Sequence, residues 1–438
     1  MFAGRQRFLV LFLITLALGL SVVDRAAVSI AGPLLATELG LDAVQLGWLF
    51  SAFTWTYVLA QLPGGWLVDR IGARKAILAG LLLWALSSAL MGVAGWLAHT
   101  FVLLLALRVL MGVLQAPIGP AAGLSIAAWF PATERGAAGA LFACSSYLAL
   151  ALFTPALGWL ASRHGWPSMF FTLATLVTVL AAAWWLLFDM PSRHRRVTAA
   201  ELAYIATGGG VVDLGSGPRV TAAVFLSDLR RMLGSRMVLG ILISQYGIAS
   251  ATWFLISWFP TYMVHGRGMS LVEAAAAMVL PGLCGFAGGL LTGFFSDRLL
   301  RRSGSLSLAR TLPIYVGTSL MFVGFAACTL ADSNRLVVGL LSLALFGKGF
   351  ATLGWTLVAE LFPARTVGVA GALFNTVSSA SGIVTAVAIG YLVAATGGFN
   401  AALWLMAGNA ALAFASYALL VRKVEPMLGD SASHAARP

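Results

Sequence analysis

The stretch FPATERGAAGALF, residues 130–142, returns as FPARTVGVAGALF at residues 362–374, with nine of thirteen positions identical in register. A Gly/Ala-rich string can recur by chance in an apolar chain, so its surroundings decide whether this is a repeat. Two further pairs recur in the same order. GGWLVDRIGARK (64–75) and TGFFSDRLLRR (292–302) share Gly-x-x-x-Asp-Arg followed by basic residues, and Arg108 and Lys348 each interrupt an apolar run. The three pairs lie 232, 228 and 240 positions apart. The chain therefore reads as two related halves, with each FPA string the turn from the fourth helix of its half into the fifth.

Composition supplies the solvent. Of 438 residues 60% are hydrophobic and only 10% charged, against about 25% charged in a soluble domain. Apolar runs of about twenty residues, each able to cross a hydrocarbon core roughly 30 Å thick, recur from end to end. Twelve are expected, six in each half. The first continues as SVVDRAAVSIAGPLL without a small-residue cleavage site, which reads as a retained span rather than a signal peptide. The expected fold class is an all-α polytopic membrane protein of twelve transmembrane helices in two pseudo-symmetric six-helix bundles. The expected organisation is an N-terminal bundle at 1–190, a cytoplasmic inter-bundle loop at 191–236, and a C-terminal bundle with a short tail at 237–438. Within the loop, TAAELAYIA reads as a short helix and GGGVVDLGSGP as turn and linker.

The net charge of +12 is placed as membrane orientation places it. Threading twelve spans puts 21 of the 27 Lys and Arg residues in the termini and even-numbered loops, three in the opposite loops, and three (Arg25, Arg108, Lys348) inside spans. That bias predicts cytoplasmic termini and leaves the charge no nucleic-acid role. Only RHRR (193–196) and RLLRR (298–302) are further candidates for contact with anionic headgroups. Cys144, Cys284 and Cys328 sit in apolar spans with no pairing or metal spacing, as small core residues do.

An ionised side chain at bilayer depth costs a few kcal/mol and needs a partner or a purpose. SVVDRAAV (21–28) places Asp24 and Arg25 in span one, and LLALRVLMGVLQAP (104–117) places Arg108 and Gln115 in span four. Seven residues are two helical turns, so Arg108 and Gln115 share a face. Lys348 faces them in this reading from span ten. Asp24 can pair with one Arg and Lys348 can snorkel, which still leaves an Arg without a partner. Because Arg stays protonated, an anionic ligand is the expected counter-charge, a carboxylate suiting its fork. Tyr57, Gln245, Tyr246, Trp253, Trp355, Thr356 and Asn375 are further polar or aromatic groups in spans. Gln245 and Asn375 are favoured as contacts for hydroxyls, while Trp253 and Trp355 stand equally as packing.

Two parallel six-helix halves joined by a central loop resemble the major facilitator superfamily, whose substrates bind near the midplane between the halves. The GGWLVDRIGARK loop resembles its signature, which implies a gate role for Asp69, Arg70, Arg74 and Lys75, and for Asp297 and Arg298 in the second half. Within it, VDRAAV (23–28), GWLFSAFTWTYVLAQLPGGWLVDRIGARK (47–75), LRVLMGVLQAP (107–117), AELAYIATGGGVVD (200–213) and SQYGIASATWFLISWFPTY (244–262) resemble the anion:cation symporter family. The likeness is to its D-galactonate and glucarate (sugar-acid) transporters.

That resemblance implies proton-coupled uptake of an organic anion by alternating access. Asp24 would be the proton-carrying acid and Arg25 and Arg108 the cations near or on the substrate carboxylate. Tyr57, Gln245 and Asn375 would line a sugar-acid pocket, with Ser146, Trp355 and Thr356 beside them. Three departures stand out. Gln115 occupies a position that is usually Glu, Ser146 one where relatives carry Gln, and Lys348 one where close relatives tend to have Asn. Losing an acid and gaining a base raises the positive charge, so coupling is expected through Asp24 alone. Lys348 is expected to meet a second carboxylate, as in an aldarate or aromatic diacid. Protonation of Asp24 would release its Arg partner for the anion.

The implied cell is a bacterium with this chain as a monomer in its inner membrane. No cofactor is expected, the proton gradient being the energy source. A passive channel and an exporter of metabolites or drugs share parts of this pattern; proton-dependent accumulation separates the channel, and the intramembrane Asp-Arg and the central Gly-Gly-Gly point to uptake of anions rather than export. An enzyme is not expected: the chain shows no nucleophile–base constellation and no clustered metal ligands. ATGGGVV lacks the Gly-Lys-Ser/Thr of a phosphate loop.

Overall fold

The computed structural model of the protein describes residues 6–210, 222–362 and 367–424. Within these ranges the side chains of Asp69, Cys144 and Trp355 lie outside the described set. The described chain is helical almost throughout. It divides into two compact units, Met1–Pro218 with Phe259–Val279, and Arg219–Trp258 with Leu280–Pro438.

The first unit opens with α1 (Gln6–Leu39), α2 (Ala43–Ile71) and α3 (Ala73–Ala94). It continues with α4 (Thr100–Gln115), α5 (Ile118–Trp129), α6 (Ala132–His164), α7 (Pro167–Leu187) and α8 (Ala199–Thr207). Two short later helices, α11 (Phe259–Thr261) and α12 (Leu271–Ala277), belong to it as well. Thr154 on α6 reaches the Ala275 carbonyl at 3.4 Å, and a methyl on Gly158 would overlap the Ala275 side chain.

The second unit holds α9 (Ala222–Leu233), α10 (Arg236–Ser257) and, apart from its first residue, α13 (Val279–Ser303). Then follow α14 (Leu306–Cys328), α15 (Asn334–Phe350), α16 (Gly354–Leu361), α17 (Val367–Thr396) and α18 (Asn400–Ser416).

Eleven helical stretches among the described residues are long and apolar enough to cross a membrane. The remaining expected span, the tenth, is built from two pieces. Helices α15 and α16 have 17 and 8 residues and are separated by a turn at Ala351–Leu353. At 1.5 Å per residue α15 covers roughly 26 Å, short of the hydrocarbon thickness that the two pieces cover together. Span four is interrupted in the same way, where α4 ends at Gln115 and α5 begins at Ile118. The chemistry of the two breaks differs. Pro117 removes a backbone donor from the first, whereas FGKGFATLG lines the second with glycines.

Those broken helices are packed closely against their neighbours. A methyl on Gly112 of α4 would overlap the Phe53 carbonyl of α2, and one on Gly349 of α15 would overlap the Gly285 carbonyl of α13. Small residues permit this approach where no water competes and van der Waals packing holds helices together. A threonine seals each crossing. Thr56 on α2 donates to the Val109 carbonyl of α4, and Thr292 on α13 donates to the Phe350 carbonyl of α15 at 2.7 Å. The internal repeat thus survives as a packing rule.

The loop helix α8 is docked on the first unit. Thr198 caps it, and its Glu201, only 4% exposed, accepts from the backbone N–H groups of Gln6 and Arg7 at 3.4 and 3.3 Å. A carboxylate there satisfies orphan donors and complements the dipole at the start of α1. Tyr204 donates to Glu134 at 2.6 Å, a bond that holds its phenol above its usual range. Arg7 closes the cluster against Glu134 at 3.4 Å. Of the expected linker, 208–210 form the turn after α8, and 211–218 lie outside the described residues.

Substituting Gly112 by Ala is expected to destabilise the protein by about 1–3 kcal/mol, as overpacking does. Gly339→Ala on α15, where an added Cβ meets nothing within 4 Å, is expected to be neutral or stabilising by up to ~1 kcal/mol. Thermal unfolding of both variants in detergent checks the contrast.

Candidate functional site

Each unit carries its own polar cluster in its apolar interior. In the first unit it begins on α1, where Ser21, Asp24 and Arg25 occupy a single helical turn. Asp24 is fully buried and Arg108 of α4 is 2% exposed. Their closest approach, Arg108 Nη1 to Asp24 Oδ2, is 4.0 Å, an ion pair without a hydrogen bond. Ser88 on α3 donates to Asp24 Oδ1 at 3.1 Å. The Trp84 indole faces the same carboxylate without closing a hydrogen bond.

Arg25 is placed differently. It is partly exposed, and its guanidinium lies over the rings of Phe53 and Tyr57 at 4.6 and 4.7 Å. Phe53 also receives Arg108, at 5.2 Å, so one buried ring of α2 serves both cations and stacks on Tyr57 at 5.2 Å. Cation–π attraction at desolvated sites is worth about 2 kcal/mol. It lets two like charges share a neighbourhood with one carboxylate. Arg25 donates to Ser21 Oγ at 3.0 Å, and Ser21 donates in turn to Gln115 Oε1 at 2.6 Å. Asp24, Arg25, Tyr57, Arg108 and Gln115 are thereby brought together. Ser146 is partly buried on α6 and makes no hydrogen bond to them.

In the second unit Gln245 of α10 donates to Ser378 Oγ of α17 at 3.1 Å, and Trp253 donates to the Ser378 carbonyl at 3.0 Å. A methyl on Gly382 would strike the Trp253 ring, and one on Gly354 would strike Phe374 and come within 3.4 Å of Gln245 Oε1. Gln245 is thus fixed beside the break in span ten. Asn375 on α17 and Thr356 on α16 are partly buried nearby in sequence. The side chain of Trp355 lies outside the described residues.

Lys348 needs a correction of register. It stands two residues before the end of α15, and fourteen before Phe362, whereas Arg108 lies twenty-two before Phe130. Arg108 stands seven residues before the end of α4, so the two differ by five helical residues, about 7.5 Å along the axis. The two basic residues are therefore not counterparts in the repeat.

The signature loops show local pairings. Arg74 meets Asp189 at 2.7 Å and the Trp185 carbonyl at 2.9 Å, while Arg70 is exposed with its guanidinium over Trp66. Lys75 and Arg298 are exposed, and the Asp69 side chain lies outside the described residues. Asp297 pairs at 3.2 Å with Arg310. Arg310, a residue charge counting assigns to a loop, is 5% exposed within α14, where it also binds Glu360 of α16 and Ser296.

Comparison with known proteins agrees with this architecture. The profile of the Major Facilitator Superfamily matches residues 14–353. The chain is a member of the Major Facilitator Superfamily. Within it, the chain is 42% identical over 429 residues to a probable galactarate/D-glucarate transporter of Bacillus subtilis, covering 97% of this chain and 94% of that one. It is 40% identical over 426 residues to a probable galactarate/D-glucarate transporter of Escherichia coli K12, covering 96% of each. The D-galactonate transporter of Escherichia coli O6:H1 is 32% identical over 424 residues, with 96% and 97% covered. Among solved structures, a D-xylose–proton symporter superposes with a TM-score of 0.74 at 16% identity, covering 96% of this chain and 99% of the other. That likeness concerns the fold alone.

For this superfamily member, charge and rarity in apolar spans pointed to the ionic residues. They could not reveal Ser21, Phe53, Ser88 and Ser378, which are ordinary residues for a membrane helix. The only available signal was spacing: Ser21 precedes Arg25 by four residues, one turn on the same face.

Asp24→Asn is expected to cost about 3–5 kcal/mol, since it strands Arg108 without its buried counter-charge. Asp24→Asn with Arg108→Gln is expected to recover part of that loss. Melting temperatures of the two variants against wild type test the pairing.

Proposed function

We propose that the protein imports a sugar acid together with protons, most specifically an aldarate such as galactarate or D-glucarate. The observation that carries this reading is the division of labour between two buried-bundle cations. Arg108 is committed to Asp24. Arg25 is partly exposed, makes no ion pair among the described residues, and is held in position by Ser21 and two aromatic rings. A permanently charged guanidinium kept without a carboxylate at bilayer depth is completed by an anion. The relatives at 40–42% identity are probable galactarate/D-glucarate transporters, which supports a substrate with two carboxylates over one.

Coupling follows from charge balance. With Asp24 ionised, the first unit's cluster holds two cations and one anion. Protonation of Asp24 removes that anion, and the cluster gains affinity for a carboxylate at Arg25. Proton loss reverses the preference, so the two ligands favour each other's binding and are released together. Gln115 cannot titrate, which leaves Asp24 as the coupling acid. Lys348 is assigned to the second carboxylate, with Gln245 and Asn375 to the hydroxyls. Both termini are assigned to the cytoplasm by the charge bias.

In proteoliposomes, an inward pH gradient is expected to drive accumulation of galactarate or D-glucarate. Asp24→Asn is expected to abolish gradient-driven accumulation while exchange of substrate persists. Lys348→Asn is expected to weaken aldarate affinity about tenfold, the scale of a lost charge-assisted hydrogen bond, and to leave D-galactonate affinity within twofold. Uptake of none of these acids, or Asp24→Asn accumulation equal to wild type, would overturn the reading.

A further inference from the structure

Resting on that reading, we propose that Ser21 is a positioning residue for anion recognition, tying Arg25 and Gln115 into a fixed pair of donors. Arg can only donate, so the 3.0 Å contact from Arg25 Nη2 uses a lone pair of Ser21 Oγ. The one hydroxyl proton of Ser21 goes to Gln115 Oε1, at 2.6 Å. The carboxamide oxygen is thereby engaged by Ser21, and the amide nitrogen is turned away from it. Among the described residues that nitrogen is buried without a hydrogen-bond partner, a costly condition for an amide in an apolar interior. Gln115 is 1% and Ser21 2% exposed, so solvent does not relieve it.

The two donors lie within two hydrogen bonds of each other. That spacing suits one end of an α-hydroxycarboxylate, with the carboxylate on Arg25 and an adjacent oxygen on Gln115 Nε2. Backbone geometry holds both ends of the bridge. Ser21 and Arg25 are four residues apart on α1, and Gln115 is the last residue of α4, where the helix breaks before Pro117. A carboxylate at position 115 would also accept from Ser21, but it would draw the Arg25 charge to itself. The neutral carboxamide keeps the bridge and leaves the guanidinium charge for the ligand. Gln115 is in this sense a specificity-determining donor, and Ser21 sets which way it points.

The test is a double-mutant cycle on uptake of galactarate and D-glucarate by reconstituted wild type, Ser21→Ala, Ser21→Thr, Gln115→Leu and Ser21→Ala/Gln115→Leu. Ser21→Ala and Gln115→Leu are each expected to raise KM about tenfold with Vmax within about twofold, as loss of a hydrogen bond to a charged network would. Ser21→Thr, which retains the hydroxyl, is expected to return KM to within about threefold of wild type. The double variant is expected to be no worse than about threefold beyond either single, because both substitutions break one unit. Melting temperatures are recorded alongside. An unchanged KM in Ser21→Ala, multiplicative effects in the double variant, or a Ser21→Ala defect confined to Vmax and melting temperature would each overturn the proposal. Wild-type uptake of neither aldarate overturns the functional reading and this inference together, whereas the other outcomes overturn this inference alone.

Discussion

A buried carboxylate and a buried guanidinium, 4.0 Å apart in an apolar bundle, constrain everything around them. Neither charge survives alone at bilayer depth, so α1 and α4 are tied together through Asp24 and Arg108. Helix α4 can reach that position only because Gly112 lets its backbone touch α2. The same approach brings Phe53 against both guanidinium groups. Ser88, from α3, occupies a carboxylate oxygen that the ion pair leaves open. Packing and electrostatics in the first unit are therefore one problem with one solution.

The second unit keeps the packing and changes the chemistry. Its glycine-lined crossing and its sealing threonine repeat those of the first. Its buried cation, however, is Arg310 near the start of α14, satisfied by Glu360, Asp297 and Ser296. Its deeper polar groups, Gln245 and Trp253, are neutral and are held by one serine of α17. The two units thus share a packing plan and differ in the polar groups set into it.

The sequence announced its architecture through what is expensive. Apolar runs, the paired FPA and Gly-x-x-x-Asp-Arg strings, and charges inside spans are all rare enough to be read by eye. The helix in the central loop was equally legible, because TAAELAYIA carries its own cap. Register was not. Arg108 and Lys348 looked equivalent because both are basic and both interrupt apolar runs, but the helix ends place them at different depths. Nor were the supporting residues visible. A serine costs little in a membrane helix, so nothing in its identity distinguishes Ser21 or Ser378 from the serines that bond only to their own backbone. Arg310 was missed for the opposite reason: it sits close enough to a loop to pass for a solvated cation.

The carboxylate of Glu201 caps the first helix from nearly two hundred residues away, while α9, separated from the end of α8 by fourteen residues, belongs to the second unit. As a matter of construction, a gene divided after the codon for Gly210 would leave each polypeptide with its own closing helix. One divided after α7 would leave the first turn of α1 without the Glu201 carboxylate on its own polypeptide.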